Sequence, residues 1–146
     1  MTENIIKTVV ITRIVEECEE IKTLCFNMKK ENANYIPPKP GQFAMIWVPG
    51  VDEIPMSISD CDNNGNWSIT VKNIGECTNA LFHLKQGDFI GVRGPLGNWF
   101  EFPKVKSKNL FLIGGGIGMA PLRFLIKELN TNNLPFILIH GAKVKN

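Results

Sequence analysis

The stretch Leu110-Phe111-Leu112-Ile113-Gly114-Gly115-Gly116-Ile117-Gly118-Met119-Ala120-Pro121-Leu122 constrains this chain more than any other. An apolar run this short and continuous reads as a strand covered on both faces. After the glycines, Leu122, Leu125, Ile126 and Leu129 recur at i, i+3, i+4 and i+7, which is one face of a helix. Pro121 sits where a first helical turn accepts it. Residues 130–133 close the helix, and 135–139 form a second apolar strand, so the segment is one β-α-β unit. Glycines let backbone N–H groups approach a bound group without a Cβ in the way, and a helix start adds oriented donors and a positive dipole end. Gly114, Gly115, Gly116 and Gly118 therefore suit a pyrophosphate. The plainer alternative is a tight strand-to-helix turn with no ligand. The run is not a G-x-G-x-x-G, because Met119 stands at its last position.

The chain before this unit has a different period. Residues 5–14, 21–28, 42–48, 56–59, 67–72 and 89–93 are β-branched or alternating and read as strands. A Glu-rich turn falls at 16–20, and Asn63-Asn64-Gly65-Asn66 is a hairpin signal. Prolines 37, 38 and 40 make 32–41 a loop, and 78–84 reads as a short helix. Short strands separated by turns predict a small antiparallel barrel or sandwich. The character changes near residue 104, which predicts a β domain over 1–104 and an α/β piece over 105–146. Two parallel strands and one helix leave a sheet face and an edge bare. Either the barrel covers them, or a partner does, or the chain is part of something longer; the loop-like residues 141–146 favour the last.

Composition narrows the function. The chain is 44% hydrophobic and 21% charged, with a formal net charge of +2. Its Lys and Arg are scattered rather than clustered, so nucleic acid is not the expected partner. No run of about 18 apolar residues predicts a membrane span. The opening residues lack a charged-then-apolar leader, which points to the cytoplasm. Four cysteines, Cys18, Cys25, Cys61 and Cys77, match no zinc or iron–sulfur spacing and read as reduced thiols. Trp47 and Trp67 read as core or hairpin packing, Trp99 as a loop aromatic, His83 as a surface helix residue and His140 as structural. No Ser/His/Asp arrangement or carboxylate pair stands out.

Several phrases in order carry a family likeness: Pro40-Gly41-Gln42-Phe43, Pro55-Met56-Ser57, Gly75-Glu76-Cys77-Thr78, Gly94-Pro95-Leu96-Gly97 and the glycine run at 114–118. Together they resemble the ferredoxin–NADP reductase superfamily, and within it the electron-transfer subunits of two-component dihydroorotate dehydrogenases. The likeness spans about Lys7 to Lys143. It implies an antiparallel Greek-key β-barrel that carries FAD, followed by the first β-α-β of a Rossmann-like NAD(P)-binding domain. It also implies that Ile54, Pro55, Met56 and Ser57 form the flavin segment, with Ser57 near the reactive ring nitrogen and Met56 against the isoalloxazine. Thr70, Val71 and Lys72 match the next flavin segment. Gly75, Cys77 and Thr78 match the phosphate-contacting turn, although a plain helix cap also explains Thr78.

Two departures matter. Where the family has an arginine on the flavin pyrophosphate, this chain has Ile54, which supplies neither charge nor donor. Lys72 and Arg93 are the candidates to compensate. The dihydroorotate dehydrogenase subunits also carry a [2Fe–2S] centre on cysteines beyond the Rossmann-like part; this chain has no Cys after Cys77. The implied function is flavin-mediated electron transfer between NAD(P) and a partner oxidoreductase, in particular a catalytic dihydroorotate dehydrogenase subunit of pyrimidine biosynthesis. The alternatives are a subunit serving a hydrogenase or a sulfide dehydrogenase, and a truncated, non-catalytic flavin-binding or docking module.

Overall fold

A computed structural model describes residues 5–30, 34–101 and 109–143; the expected domain boundary at 104/105 lies outside the described residues. Six strands, β1 (Lys7–Cys18), β2 (Ile21–Asn27), β3 (Phe43–Trp47), β4 (Glu53–Cys61), β5 (Asn66–Lys72) and β6 (Phe89–Leu96), close into a barrel. The order around it is β1-β2-β5-β4-β3-β6, and every neighbouring pair is antiparallel. Because β2 lies beside β5 rather than β3, and β6 closes between β3 and β1, the connection is a Greek key. Closure settles barrel against sandwich and leaves no bare edge in this sheet.

Period-2 patterning sets the two faces. In β5, Trp67, Ile69 and Val71 point into the barrel, whereas Ser68, Thr70 and Lys72 point out. The interior is filled by Val9, Ile11, Leu24, Phe26, Ile46, Ile58, Ile90 and Val92 together with those three residues of β5. A short helix, α1 (Glu76–His83), adds Leu81 to the same core. His83 is exposed, and one ring nitrogen sits 2.8 Å from the Asn79 carbonyl.

Three strands run further than their local patterns suggest. β1 continues through Glu16, Glu17 and Cys18, because pairing with β2 (Glu16 opposite Lys22, Cys18 opposite Ile21) outweighs the turn signal of the acidic cluster. β4 begins at Glu53 and β6 ends at Leu96, each held by the register of β3. Trp47 is not core: it is 40% exposed on the outer face, lying over Gly91. Trp67 is buried as expected.

The β4–β5 hairpin is fixed by Asp62. One of its carboxylate oxygens accepts the Asn64 and Asn66 N–H groups, both at 2.9 Å, and the other accepts the Asn66 amide at 2.7 Å. Desolvation alone would raise this carboxyl, but the Asn66 and Asn64 hydrogen bonds and the Lys127 charge outweigh it and hold the group below the usual range. An aspartate depressed on folding stabilises the native state above its unfolded pKa of about 3.9, and that stability is lost as pH falls through the lower native value. Asp62→Ala is therefore expected to lower stability by about 1–2 kcal/mol at pH 7. In urea melts, the gap from wild type should close as pH drops below about 4.

The remaining elements are β7 (Phe111–Gly115), a 3-10 turn at Gly116–Gly118, α2 (Met119–Thr131) and β8 (Ile137–Gly141), with β7 and β8 parallel. Leu112 of β7 packs with Leu125 and Leu129, and Leu122 and Ile126 join them, so the helical face read from spacing is the one that meets the sheet. The opposite side of α2 docks on the barrel. Phe124 enters the barrel core cluster, and Lys127 Nζ reaches Asp60 Oδ1 at 2.7 Å and the Cys61 carbonyl at 2.8 Å. The barrel thus covers the helix but not the sheet. Phe111, Ile113, Ile137 and Ile139 remain exposed.

Candidate functional site

The site is built where the outer face of the barrel meets the glycine turn. Pointing out from β2, β5 and β4 are the hydroxyls of Thr23, Thr70 and Ser59. Thr23 donates to Glu17 Oε1 at 2.8 Å, Thr23 and Thr70 Oγ1 are 3.0 Å apart, and Thr70 donates to Ser59 Oγ at 3.0 Å. Thr23 and Ser59 are buried, so this chain of bonds satisfies hydroxyls that water does not reach. Arg123 of α2 closes on Glu17 at 3.4 Å.

Two adjoining clefts lie between this face and the glycine turn, of about 800 and 480 Å³. Both are bordered by Ile21, Gly116, Ile117 and Ala142. The larger adds Lys72, Gly115 and Lys143; the smaller adds Glu17, Thr70, Met119 and His140. These sizes fall in the range of cofactor sites, and an apolar wall with a few polar groups is their usual lining.

The four glycines do different work. A Cβ on Gly114 would stand 2.5 Å from Met119 Sδ and 2.8 Å from Leu122 Cδ1, so this glycine permits the close approach of strand and helix. Gly115 would meet only the Gly141 carbonyl, at 3.7 Å. Gly116 takes φ +52 and has nothing within 4 Å of a Cβ, and Gly118 is equally open. Only Gly115 and Gly116 line a described cleft.

The other expected residues divide similarly. Thr70 and Lys72 face the clefts, whereas the Val71 side chain is inside the barrel. In β4, Ile54 and Met56 pack against the barrel core, while Pro55 is exposed and Ser57 half-buried. The Ser57 hydroxyl has no hydrogen bond among the described residues. Gly75 precedes α1, and Thr78 Oγ1 accepts the N–H groups of Gly75 at 2.8 Å and Ile74 at 3.1 Å. That hydroxyl caps the helix. Glu76, Cys77 and Thr78 contribute the first-turn N–H groups that a helix leaves without intrahelical partners. Neither Ile54–Ser57 nor Gly75–Thr78 borders the two clefts. Arg93 does not stand in for an arginine at Ile54. Its guanidinium is bidentate on Glu53, at 2.9 and 3.1 Å, and that hydrogen-bonded carboxylate raises its pKa further. Trp99 lies under Lys39 Nζ, 3.9 Å from its ring centroid.

Glu17, Ile21, Ile117, Arg123 and His140 were not singled out by sequence as site residues. They reach the clefts through the extension of β1 and the docking of α2, and no local motif signals either event.

Residues 8–100 match the family described as the oxidoreductase FAD-binding domain. The chain belongs to that family. It is 43% identical over 135 residues to the probable dihydroorotate dehydrogenase B (NAD(+)) electron transfer subunit of Methanocella arvoryzae, covering 92% of this chain and 48% of that protein. It is 40% identical over 136 residues to the protein of the same name from Methanocaldococcus jannaschii, covering 93% and 49%. Among solved structures, an NADH-dependent reduced ferredoxin–NADP oxidoreductase superposes with a TM-score of 0.80 at 29% identity, covering 94% of this chain and 49% of that one. The chain spans about half the length of the curated relatives it matches.

The residues present fit an FAD. The outer face offers a hydroxyl without a partner among the described residues at Ser57, Thr70 lines the smaller cleft, and the first turn of α1 offers backbone donors. The open Gly116 leaves a flat, unobstructed surface opposite. Among the described residues, no group of His, Cys, Asp and Glu could hold a metal ion, and no helix is long and apolar enough to cross a membrane.

Proposed function

We propose that this chain is the flavin-binding part of an electron-transfer subunit serving a cytoplasmic, NAD-linked dihydroorotate dehydrogenase. The observation that carries the reading is the match of residues 8–100, the closed six-stranded barrel and α1, to the oxidoreductase FAD-binding domain. Residues 1–104 act as the FAD-binding domain, and 105–146 as the first β-α-β of a nucleotide-binding domain. A bound flavin supplies the conversion between a two-electron hydride and single electrons. The protein holds and shields it. Pro55, Met56 and Ser57 present the edge of β4, with the Ser57 hydroxyl as donor. Thr70, Val71 and Lys72 present β5, Val71 through its backbone. The first turn of α1, at Gly75, Cys77 and Thr78, would offer its backbone donors to phosphate oxygens. Ile117 and Met119 line the smaller cleft beside Gly116 and would give a nicotinamide ring an apolar wall.

The relatives' names support the partner and the nicotinamide cofactor. The expected result is that the chain, loaded with FAD, forms a complex with a catalytic dihydroorotate dehydrogenase subunit, seen as one peak by size-exclusion chromatography. Dihydroorotate should then bleach the flavin absorbance. A flavin that stays oxidised in the complex, while a hydrogenase or sulfide dehydrogenase subunit bleaches it, would transfer the assignment to that partner.

A further inference from the structure

The barrel carries an apolar face that the clefts do not use. The order β1-β2-β5-β4-β3-β6 sets β3, β6 and β1 side by side, with β6 across the ring from β5 and its cleft-lining Thr70 and Lys72. On the outer side of these strands Val10 stands opposite Phe89, and Gly91 stands opposite both Thr8 and Trp47. A Cβ on Gly91 would lie 2.7 Å from Ile6 Cγ2 and 3.0 Å from Trp47 Cβ, so glycine lets those two side chains close over the strand. Ile6, Val10, Phe89 and Trp47 thereby share one surface, with Phe89 58% exposed and the others between 39% and 44%. None of the four borders either cleft. At about 100 Å² of open side chain apiece, they expose roughly 400 Å² of apolar surface, a size of patch that is often functional.

We propose that a second copy of this chain docks on this face, the two barrels meeting across a two-fold axis. Closing the face in both copies removes roughly 800 Å² of apolar surface. A standard interface buries about 1,600 Å² in all, a little over half of it apolar, so the face has the size a stable dimer needs. Its chemistry favours a like partner. Ile6, Thr8, Val10, Phe89, Gly91 and Trp47 carry no charge, so they offer a different protein no charge pattern to recognise. A two-fold contact needs none, because each patch meets the same patch. The formal net charge of +2 leaves little repulsion between copies. The barrel sheet is closed, so the contact is face to face rather than strand addition at an edge. A dimer of this kind leaves both clefts open, and it stands apart from the FAD reading.

Sedimentation equilibrium of the 146-residue chain at about 1–100 µM tests this, with the variants Phe89→Lys, Val10→Lys and Ile113→Lys. Wild type should sediment as a dimer, with a dissociation constant of about 1 µM or below. Phe89→Lys and Val10→Lys should each weaken the dimer by about 30-fold or more, because one substitution counts twice across a two-fold axis. Both positions are exposed, so the circular dichroism of these variants should match wild type. Ile113 is 72% exposed on the separate β7–β8 sheet. Ile113→Lys therefore adds the same charge elsewhere and should leave the dimer intact. A wild-type chain that stays monomeric throughout the range overturns the inference. So does a dimer that survives both barrel variants, whether or not Ile113→Lys splits it. A monomeric chain that binds a catalytic dihydroorotate dehydrogenase subunit, and loses that binding in Phe89→Lys, assigns the face to a different protein and overturns the dimer. The FAD reading stands in every case.

Discussion

Trp67→Ala should remove about 3–5 kcal/mol of stability, the range for emptying a buried aromatic site. The indole is 1% exposed and packs against the rings of Phe26 and Tyr35, with centroids at 6.4 and 6.5 Å. Its N–H donates to the Tyr35 hydroxyl at 3.1 Å, and that hydroxyl touches the Cys61 thiol at 3.5 Å. Burial is the main cause that pushes both the Tyr35 phenol and the Cys61 thiol upward, so both groups are held neutral. Alanine leaves a void and also strips Tyr35 of its donor. A domain of this kind is stable by about 5–15 kcal/mol in all, so the loss is a large share of the total. Urea unfolding followed by circular dichroism reads it directly. Trp67→Phe keeps much of the volume and should lose about 1–2 kcal/mol, part of it the missing hydrogen bond. If Trp67→Ala melts within about 1 kcal/mol of wild type, the barrel core is not packed around this ring.

Gly114→Val should damage the β-α-β unit and spare the barrel. Its Cβ would crowd Met119 Sδ and Leu122 Cδ1, so both side chains must move aside from the strand, and valine's two methyl groups add to the displaced volume. Overpacking of this kind costs about 1–3 kcal/mol. The loss is local, because β7 touches α2 and β8 but is not part of the barrel sheet. Amide exchange in β7 and α2 should speed up, while that of β2 and β5 stays slow. Uniform acceleration across the chain would mean that the two parts unfold as one unit. No change at all would mean that strand and helix are not pressed together at Gly114.

Much of the fold was legible because it is written in short-range patterns. The period-2 alternation of Trp67-Ser68-Ile69-Thr70-Val71-Lys72 fixes which side faces the core, and Asn63-Asn64-Gly65-Asn66 marks the hairpin, although the Asp62 carboxylate that pins it does not show in that motif. The helical spacing from Leu122 to Leu129 identified the face of α2 that meets the sheet. What stayed hidden depends on long-range contact. Glu16 and Glu17 look like turn residues until β2 pairs with them, and Trp47 looks like core until the barrel turns it outward over Gly91. The docking of α2 through Phe124 and Lys127 has no local signal, since both lie off the main apolar stripe.

The site was legible in outline and not in detail. Strand-glycine-helix spacing marked a turn that borders both clefts, but it could not separate Gly114, which lies against Met119 and Leu122, from Gly116, which faces open space. That distinction depends on where the side chains of Met119 and Leu122 come to rest. The availability of each cation likewise depends on carboxylates brought near by folding. Arg93 and Lys72 look equivalent in sequence, and only the first finds Glu53.

The central claim is that the outer face of this barrel holds a flavin dinucleotide. Equilibrium dialysis of the purified 146-residue chain against FAD tests it most directly. The account predicts one FAD retained per chain at about micromolar concentration, with the flavin fluorescence quenched. A chain that folds, by its circular dichroism, and yet retains no FAD at that concentration would contradict it.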